Sequence, residues 1–446
     1  MQLETISDIL LPGFLYYFRK IDDMKKLTFL AIVSLILFSS AFVQAQDTMV
    51  PDNKKIKKGW NIGPLPAIGY NSDLGFQYGA LADFYYFGDG STFPEYIHKF
   101  NIEVSQYTKG TGVYHLFYDS KYLLRGVRTT LDVSYLTDKM MDFLGFNGYM
   151  SSYDAEFALA NPSFYKMDRR LMRATADFQG SIGGKWSWAA GIGLYNYKIE
   201  EVKLEKYATA DNLYSHYVDA GLIGSGEAGG GTRIELKAGV VHDTRNNEVD
   251  PTRGLWSEAI LFGSPGSSSY VKLSLVHRGF LPLAKDKLTF AYRVAIQANI
   301  AGEAPFYMQQ NLSTLYFRQI SSEGLGGVNT LRGVIRNRVV GQGVAWANLE
   351  FRYRFLDFRF LKQDWYLALN PFFDAGRVIQ YYKKDLMDLS SDSVISPTDS
   401  EAFHMTAGLG IKAIMNRNFV VSFEWGKPFS KKDGKNGMNI GLNYIF

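Results

Sequence analysis

Few side chains in this sequence are spaced for covalent or metal chemistry. There is no cysteine, which removes disulfides and thiolate metal or redox sites. The six histidines, His98, His115, His216, His242, His277 and His404, lack close metal-ligand spacing. Gly224-Ser-Gly226-Glu-Ala-Gly229 satisfies a dinucleotide fingerprint on paper. It precedes a strand pattern, so no helix N-terminus awaits a pyrophosphate. No Gly-x-Ser-x-Gly elbow occurs. The chemistry on offer is ionic instead. Gly326 to Val334 reads GGVNTLRGV and sets Arg332 beside Gly333, and two acids, Glu350 and Asp374, follow it. Two carboxylates on adjacent strands facing one lumen can take a guanidinium in bidentate, charge-assisted hydrogen bonds. The expectation from these residues is ionic pairing, with no catalytic residue, no metal and no cofactor.

Strands must position such a pairing. From Trp60 onward, apolar residues recur at every second place. Leu288, Phe290, Tyr292, Val294, Ile296 and Ala298 form one face, against Thr289, Arg293, Gln297 and Asn299 on the other. Strict alternation means one apolar and one polar face. In Asn348-Leu-Glu-Phe-Arg-Tyr-Arg354 it puts Glu350, Arg352 and Arg354 on the polar face, and in Phe372-Phe-Asp-Ala-Gly376 it does the same for Asp374. About sixteen such segments follow one another, from 61–70 to 437–446, most of them ten to fifteen residues long. That exceeds the usual soluble strand and suffices to cross a membrane at a tilt.

Connection lengths separate a membrane barrel from a soluble sandwich. The four long gaps, 137–163, 199–231, 301–341 and 379–401, are the fifth, seventh, eleventh and thirteenth. All are odd, so an up-and-down barrel carries them on one side as outer loops, with short periplasmic turns on the other. A sandwich has no reason to sort them so. The expected fold is all-β: a transmembrane antiparallel barrel of about sixteen strands with long outer loops, 301–341 among them. The segment Asp385 to Glu401 is acidic and Ser-rich and reads as a disordered surface loop. A net charge of +4 is too small for a nucleic-acid footprint.

Compartment follows from the first residues. Lys25-Lys26, an apolar run from Leu27 to Phe42 and small residues at Val43-Gln44-Ala45 form a secretory signal. The division expected is 1–23 as an over-long start, 24–45 as signal peptide, 46–59 as a short periplasmic lead-in and 60–446 as the barrel.

Together these motifs resemble the BamA/TamA superfamily of outer-membrane barrels, the bacterial surface antigen family, over about Ile56 to Phe446. Leu331-Arg332-Gly333 matches the family's inward-folding loop. Glu350 and Asp374 match its two acid partners on the twelfth and thirteenth strands. Asp243-Thr-Arg to Pro251-Thr-Arg-Gly254 is similar to the family's turn after the eighth strand, and Gly63 to Gly79 to its first hairpin. Val334 departs, since an aromatic usually follows Arg-Gly. Asn439-Ile-Gly441-Leu-Asn-Tyr444-Ile-Phe446 fits the terminal assembly signal, with Ile440, Leu442, Tyr444 and Phe446 expected on the lipid face.

The resemblance implies a lock of Arg332, Gly333, Glu350 and Asp374. It also implies the outer membrane of a Gram-negative bacterium, and insertion or translocation of outer-membrane proteins or lipids. The barrel assembly machinery would insert the chain itself. Between Gln46 and Trp60 there is no room for a polypeptide-transport-associated domain, so the stand-alone branch is expected, with a separate periplasmic protein as a possible partner. The alternative is a porin-like passive channel for small solutes. Pro64 and Pro66 lack N–H groups along one edge of the first strand. With Gly69 and Gly441 they mark the expected lateral seam.

Overall fold

A computed structural model describes residues 56–446 apart from 203–211, 267, 313–322 and 398. The expected over-long start, the signal peptide and most of the lead-in lie outside the described residues. No helix among those described is long and apolar enough to cross a membrane; the chain crosses with strands.

Sixteen antiparallel strands close into one barrel. The first, β1, is broken into Trp60–Pro66 and Gly69–Asn71. There follow β2 (Gly75–Tyr86), β3 (His98–Tyr107), β4 (Thr111–Leu124), β5 (Val127–Asp142), β6 (Lys166–Gly183), β7 (Trp186–Glu200) and β8 (Gly230–Asp243). The second half comprises β9 (Gly254–Ser264), β10 (Tyr270–Ala284), β11 (Leu288–Gly302), β12 (Gly343–Phe360), β13 (Gln363–Gln380), β14 (His404–Met415), β15 (Phe419–Pro428) and β16 (Gly437–Leu442). Each strand pairs with the next, and β16 returns to β1. Antiparallel neighbours and closure pair the strand edges, as crossing a lipid bilayer requires, except along the first half of β1.

Polarity is inverted relative to a soluble protein. On β12, Leu349, Phe351 and Tyr353 are exposed while Glu350 and Arg352 are buried. On β14, Leu409 and Ile411 are exposed while His404, Thr406 and Lys412 are buried. An apolar outer face around a polar interior is the signature of a barrel solvated by lipid. The long connections cluster at one end, as the odd-gap rule requires.

The structure corrects two expectations. The last strand was expected to run to residue 446, yet β16 stops at Leu442. Asn443 takes a left-handed φ of 68°, which asparagine tolerates better than most residues, and the chain turns inward. Tyr444 and Phe446 are consequently 4% and 3% exposed, inside the barrel rather than on its lipid face. Two lumen arginines account for this. Arg352 lies 3.8 Å from the Tyr444 ring centroid, and its Nη2 donates to the Phe446 carbonyl at 3.0 Å. Arg293 Nη1 donates to the Ile445 carbonyl at 3.1 Å. Cation–π and hydrogen-bonding energy for two guanidiniums outweigh lipid contact for two rings. The second correction concerns Asp385 to Glu401. It is ordered, with a helix at Lys384–Asp388 (α1), because Met387 and Ile395 insert into the core of the outer end.

The inverted polarity sets a first expectation. Val294 is 47% exposed midway along the fifteen-residue β11. Val294→Arg should destabilise the membrane-embedded barrel by about 2–4 kcal/mol and lower the heat-modifiable folded fraction on gels. Ser274→Arg, on the lumen face of β10, serves as the contrasting site.

The arginine lock and the seam

The connection between β11 and β12 folds back into the barrel, where Leu325, Leu331, Val334 and Val339 pack together at 2% exposure or less. Val334, where the family pattern has an aromatic, is thus part of an aliphatic cluster. Arg332 stands at the tip. Its Nε and Nη2 donate to the two oxygens of Asp374 at 2.9 and 2.8 Å, a fork-to-fork pair. Its Nη1 donates to Glu350 at 2.5 Å and to Glu424 at 2.9 Å. The Arg332 backbone N–H adds a bond to Asp374 at 3.0 Å, and the guanidinium lies 3.6 Å from the Phe372 ring centroid.

Three buried carboxylates around one cation would leave excess negative charge. Arg352 donates to Glu350 at 3.0 Å, and Lys412 sits 2.8 Å from Glu424. Three cations therefore meet three anions, and the cluster is neutral. Such balance is what allows six charges out of bulk water.

Gly333 is needed for a separate reason. Its φ is 96°, and a Cβ there would stand 2.5 Å from the carbonyl carbon of Gly426 on β15. A Cβ on Gly437 of β16 would in turn approach the Gly333 Cα at 2.8 Å. Gly426 and Gly437 are register partners, so three glycines let the loop backbone press directly onto the last hairpin.

Sequence reasoning missed three members of this assembly. Glu424 alternates inward in Val420-Val-Ser-Phe-Glu-Trp425, so periodicity could have found it. Arg336 meets Asp138 at 2.6 Å and Asp142 at 3.4 Å, on β5. Arg338 donates to the carbonyls of Gly148, Ser151 and Lys432 in two other outer connections. No period marks an arginine in a loop, and nothing in the sequence names these partners.

At the seam, Ala67 donates its N–H to Gly79 of β2, and Gly59 donates to Gly88 just beyond that strand. Pro64 and Pro66 are of opposite parity, so their nitrogens lie on the other edge. β16 pairs with β1 at two ladder positions, Asn439 with Asn71 and Ile440 with Tyr70, extended by hydrogen bonds between Ser72 and Met438, whereas β14 and β15 stay in register over ten. Gly69 lies under the Ile440 carbonyl, where a Cβ would come to 2.7 Å. Gly441 pairs with Ser422 of β15. Below the two pairs opens a cavity of about 550 Å³, lined by Leu65, Ile68 and Leu442 together with Gln77, Glu103 and Asn439.

The family model described as the Omp85 superfamily domain matches residues 98–446. The chain belongs to the Omp85 superfamily. Among solved structures, it is similar to BamA from Haemophilus ducreyi lacking POTRA domains 1-3, at TM-score 0.53 and 16% identity. That match covers 93% of this chain and 78% of the other. It is also similar to CdiB from Escherichia coli, at TM-score 0.52 and 10% identity, covering 89% of this chain and 64% of the other. At such identities the likeness is one of fold. No curated protein matches the chain. The Omp85 barrel resides in the outer membrane of a Gram-negative bacterium.

Arg332→Ala should leave three carboxylates buried around a missing cation, at a cost of about 3–5 kcal/mol for breaking a buried pair. The expected readout is protease cleavage in the connection between β11 and β12, in a barrel that still shows a heat-modifiable shift. Arg332→Lys should restore little, because an ammonium cannot span Asp374 with a planar fork.

Proposed function

We propose that this Omp85 barrel inserts or translocates outer-membrane proteins or lipids, and that they leave sideways between β1 and β16. The observation that carries this reading is the seam: two paired positions, two prolines on the facing edge and a last strand that ends early. A backbone hydrogen bond contributes roughly 0.5–1.5 kcal/mol net, so this junction is the easiest in the barrel to part. Its cavity joins lipid-facing Ile68 and Leu442 to lumen-facing Gln77, Glu103 and Asn439, which suits a client with both apolar and polar surface. A lumen occupied by the Arg332 loop counts against the rival reading, a passive solute channel. Membrane lipid is the immediate partner, and a separate periplasmic protein would deliver clients.

A disulfide between Tyr70→Cys and Ile440→Cys, at directly paired positions, tests the proposal. Oxidation should abolish assisted folding of a client barrel into proteoliposomes, and a reductant should restore it. Full activity with the seam locked rejects lateral release. A large steady single-channel conductance in the intact protein would then favour the passive channel.

We also propose that Asn439, Gly441, Tyr444 and Phe446 act as the signal read when the assembly machinery inserts this chain. Phe446→Ser should reduce membrane assembly far more than Asn443→Ser. Equal assembly of the two variants would reject the signal.

A further inference from the structure

The connection between β8 and β9, residues 244–253, lies at the barrel end opposite the long loops. It is braced from within. Arg245 forks onto Asp243 with two bonds of 3.0 Å and lies 4.4 Å from the Trp256 ring centroid. The Asn247 side chain accepts from the N–H groups of Val249 and Asp250, and that of Asn246 from Thr252 and Arg253. A ten-residue turn held this way keeps its shape without outside contacts.

Its outside contacts nonetheless reach both walls. Glu248 is 3.2 Å from Arg128 on β5 and 3.7 Å from Lys121 on β4. Asp250, 2% exposed, takes the Tyr366 hydroxyl of β13 at 2.6 Å. It also takes Arg417, in the turn between β14 and β15, at 3.1 Å. Arg417 Nη2 donates to the Asp250 carbonyl at 3.0 Å as well. In a closed barrel of sixteen strands, β5 and β13 are eight places apart and so face each other. A segment pinned to both crosses the mouth.

Between the pins, Val249 packs on the cluster of Tyr366, Ala368, Ile414, Val420 and Tyr444. Tyr444 belongs to the inward tail that follows β16.

We propose that residues 244–253 are a strap that closes the inner mouth of the barrel and holds the tail of β16 inside, with Asp250 as its pin. The two pins are unequal. Glu248 is half exposed and its pairs are screened by water. Asp250 is buried and combines a charged pair with two hydrogen bonds. Release at Asp250 therefore uncovers Tyr444, which Arg352 still holds inward, while release at Glu248 leaves it covered. This closure stands whether or not clients leave through the seam, because it concerns the mouth and the tail only.

The absence of native cysteine allows a direct test. Ile445→Cys places a thiol on the tail, and its reaction with a membrane-impermeant maleimide is followed in folded, proteoliposome-embedded protein. Labelling should be slow with the strap intact. Asp250→Ala should speed it about tenfold or more, because it removes a buried carboxylate that holds both Tyr366 and the part-exposed Arg417, and Glu248→Ala should change it less than about twofold, as befits an exposed carboxylate. The exchange Asp250→Arg with Arg417→Asp should recover much of the protection, which a general loss of structure would not. Two results overturn the proposal: fast labelling with the strap intact, or unchanged labelling in Asp250→Ala while the heat-modifiable shift shows a folded barrel.

Discussion

A guanidinium held by three carboxylates inside a protein needs compensating charge, and much of this structure is arranged to supply it. Arg332 alone cannot neutralise Asp374, Glu350 and Glu424; Arg352 and Lys412 complete the set. Those five side chains come from β12, β13, β14 and β15, so four consecutive strands must hold their register for the loop tip to fit. The dependence runs both ways. The loop is long, its described residues include one short helix at Phe306–Gln309, and the ion cluster gives its tip a fixed place.

Glycine makes that place reachable. Gly333, Gly426 and Gly437 allow backbone to lie on backbone, so the lock touches the very hairpin that ends at the seam. Ile335 N–H donating to the Asp433 carbonyl at 2.9 Å extends this contact to the outer turn of the hairpin. Arg332 and β16 are therefore mechanically connected, through contact rather than through covalent sequence. A change that lifts the loop removes support from the weakest junction in the barrel.

The barrel was legible because lipid imposes a period of two on every strand, and closure imposes parity on the gaps. Arg332, Glu350 and Asp374 were legible because alternation turns both acids inward and Leu331-Arg332-Gly333 resembles the family's loop. Glu424 obeyed the same alternation as Glu350 and was passed over. The tail shows where periodicity misleads. Tyr444 and Phe446 continue the alternation of Ile440 and Leu442 without a break, and only the left-handed turn at Asn443 moves them inward. Such a turn costs asparagine little and leaves no mark in a pattern of apolar residues. Long-range pins are equally silent. Glu248 and Asp250 sit in a polar, Asn- and Pro-punctuated turn, and their partners lie more than a hundred residues away on opposite walls.

Closure of the lumen is thus divided between two ends built on different physics. At the outer end, buried charge is neutralised in place by strand side chains, and Arg336 and Arg338 repeat the device against β5 and the neighbouring connections. Opening there would separate buried ions, a large step with few intermediates. At the inner mouth, the strap keeps its own shape through Asn246 and Asn247 and meets the walls at separated points. It can let go of one wall without unfolding. The same asymmetry appears at the seam, where the two ladder pairs with β1 lie toward the outer end and the unpaired stretch, with Pro64 and Pro66, lies toward the inner one. The barrel is therefore held by buried, neutralised ions toward the outside and by separated contacts, with an unpaired seam, toward the periplasm.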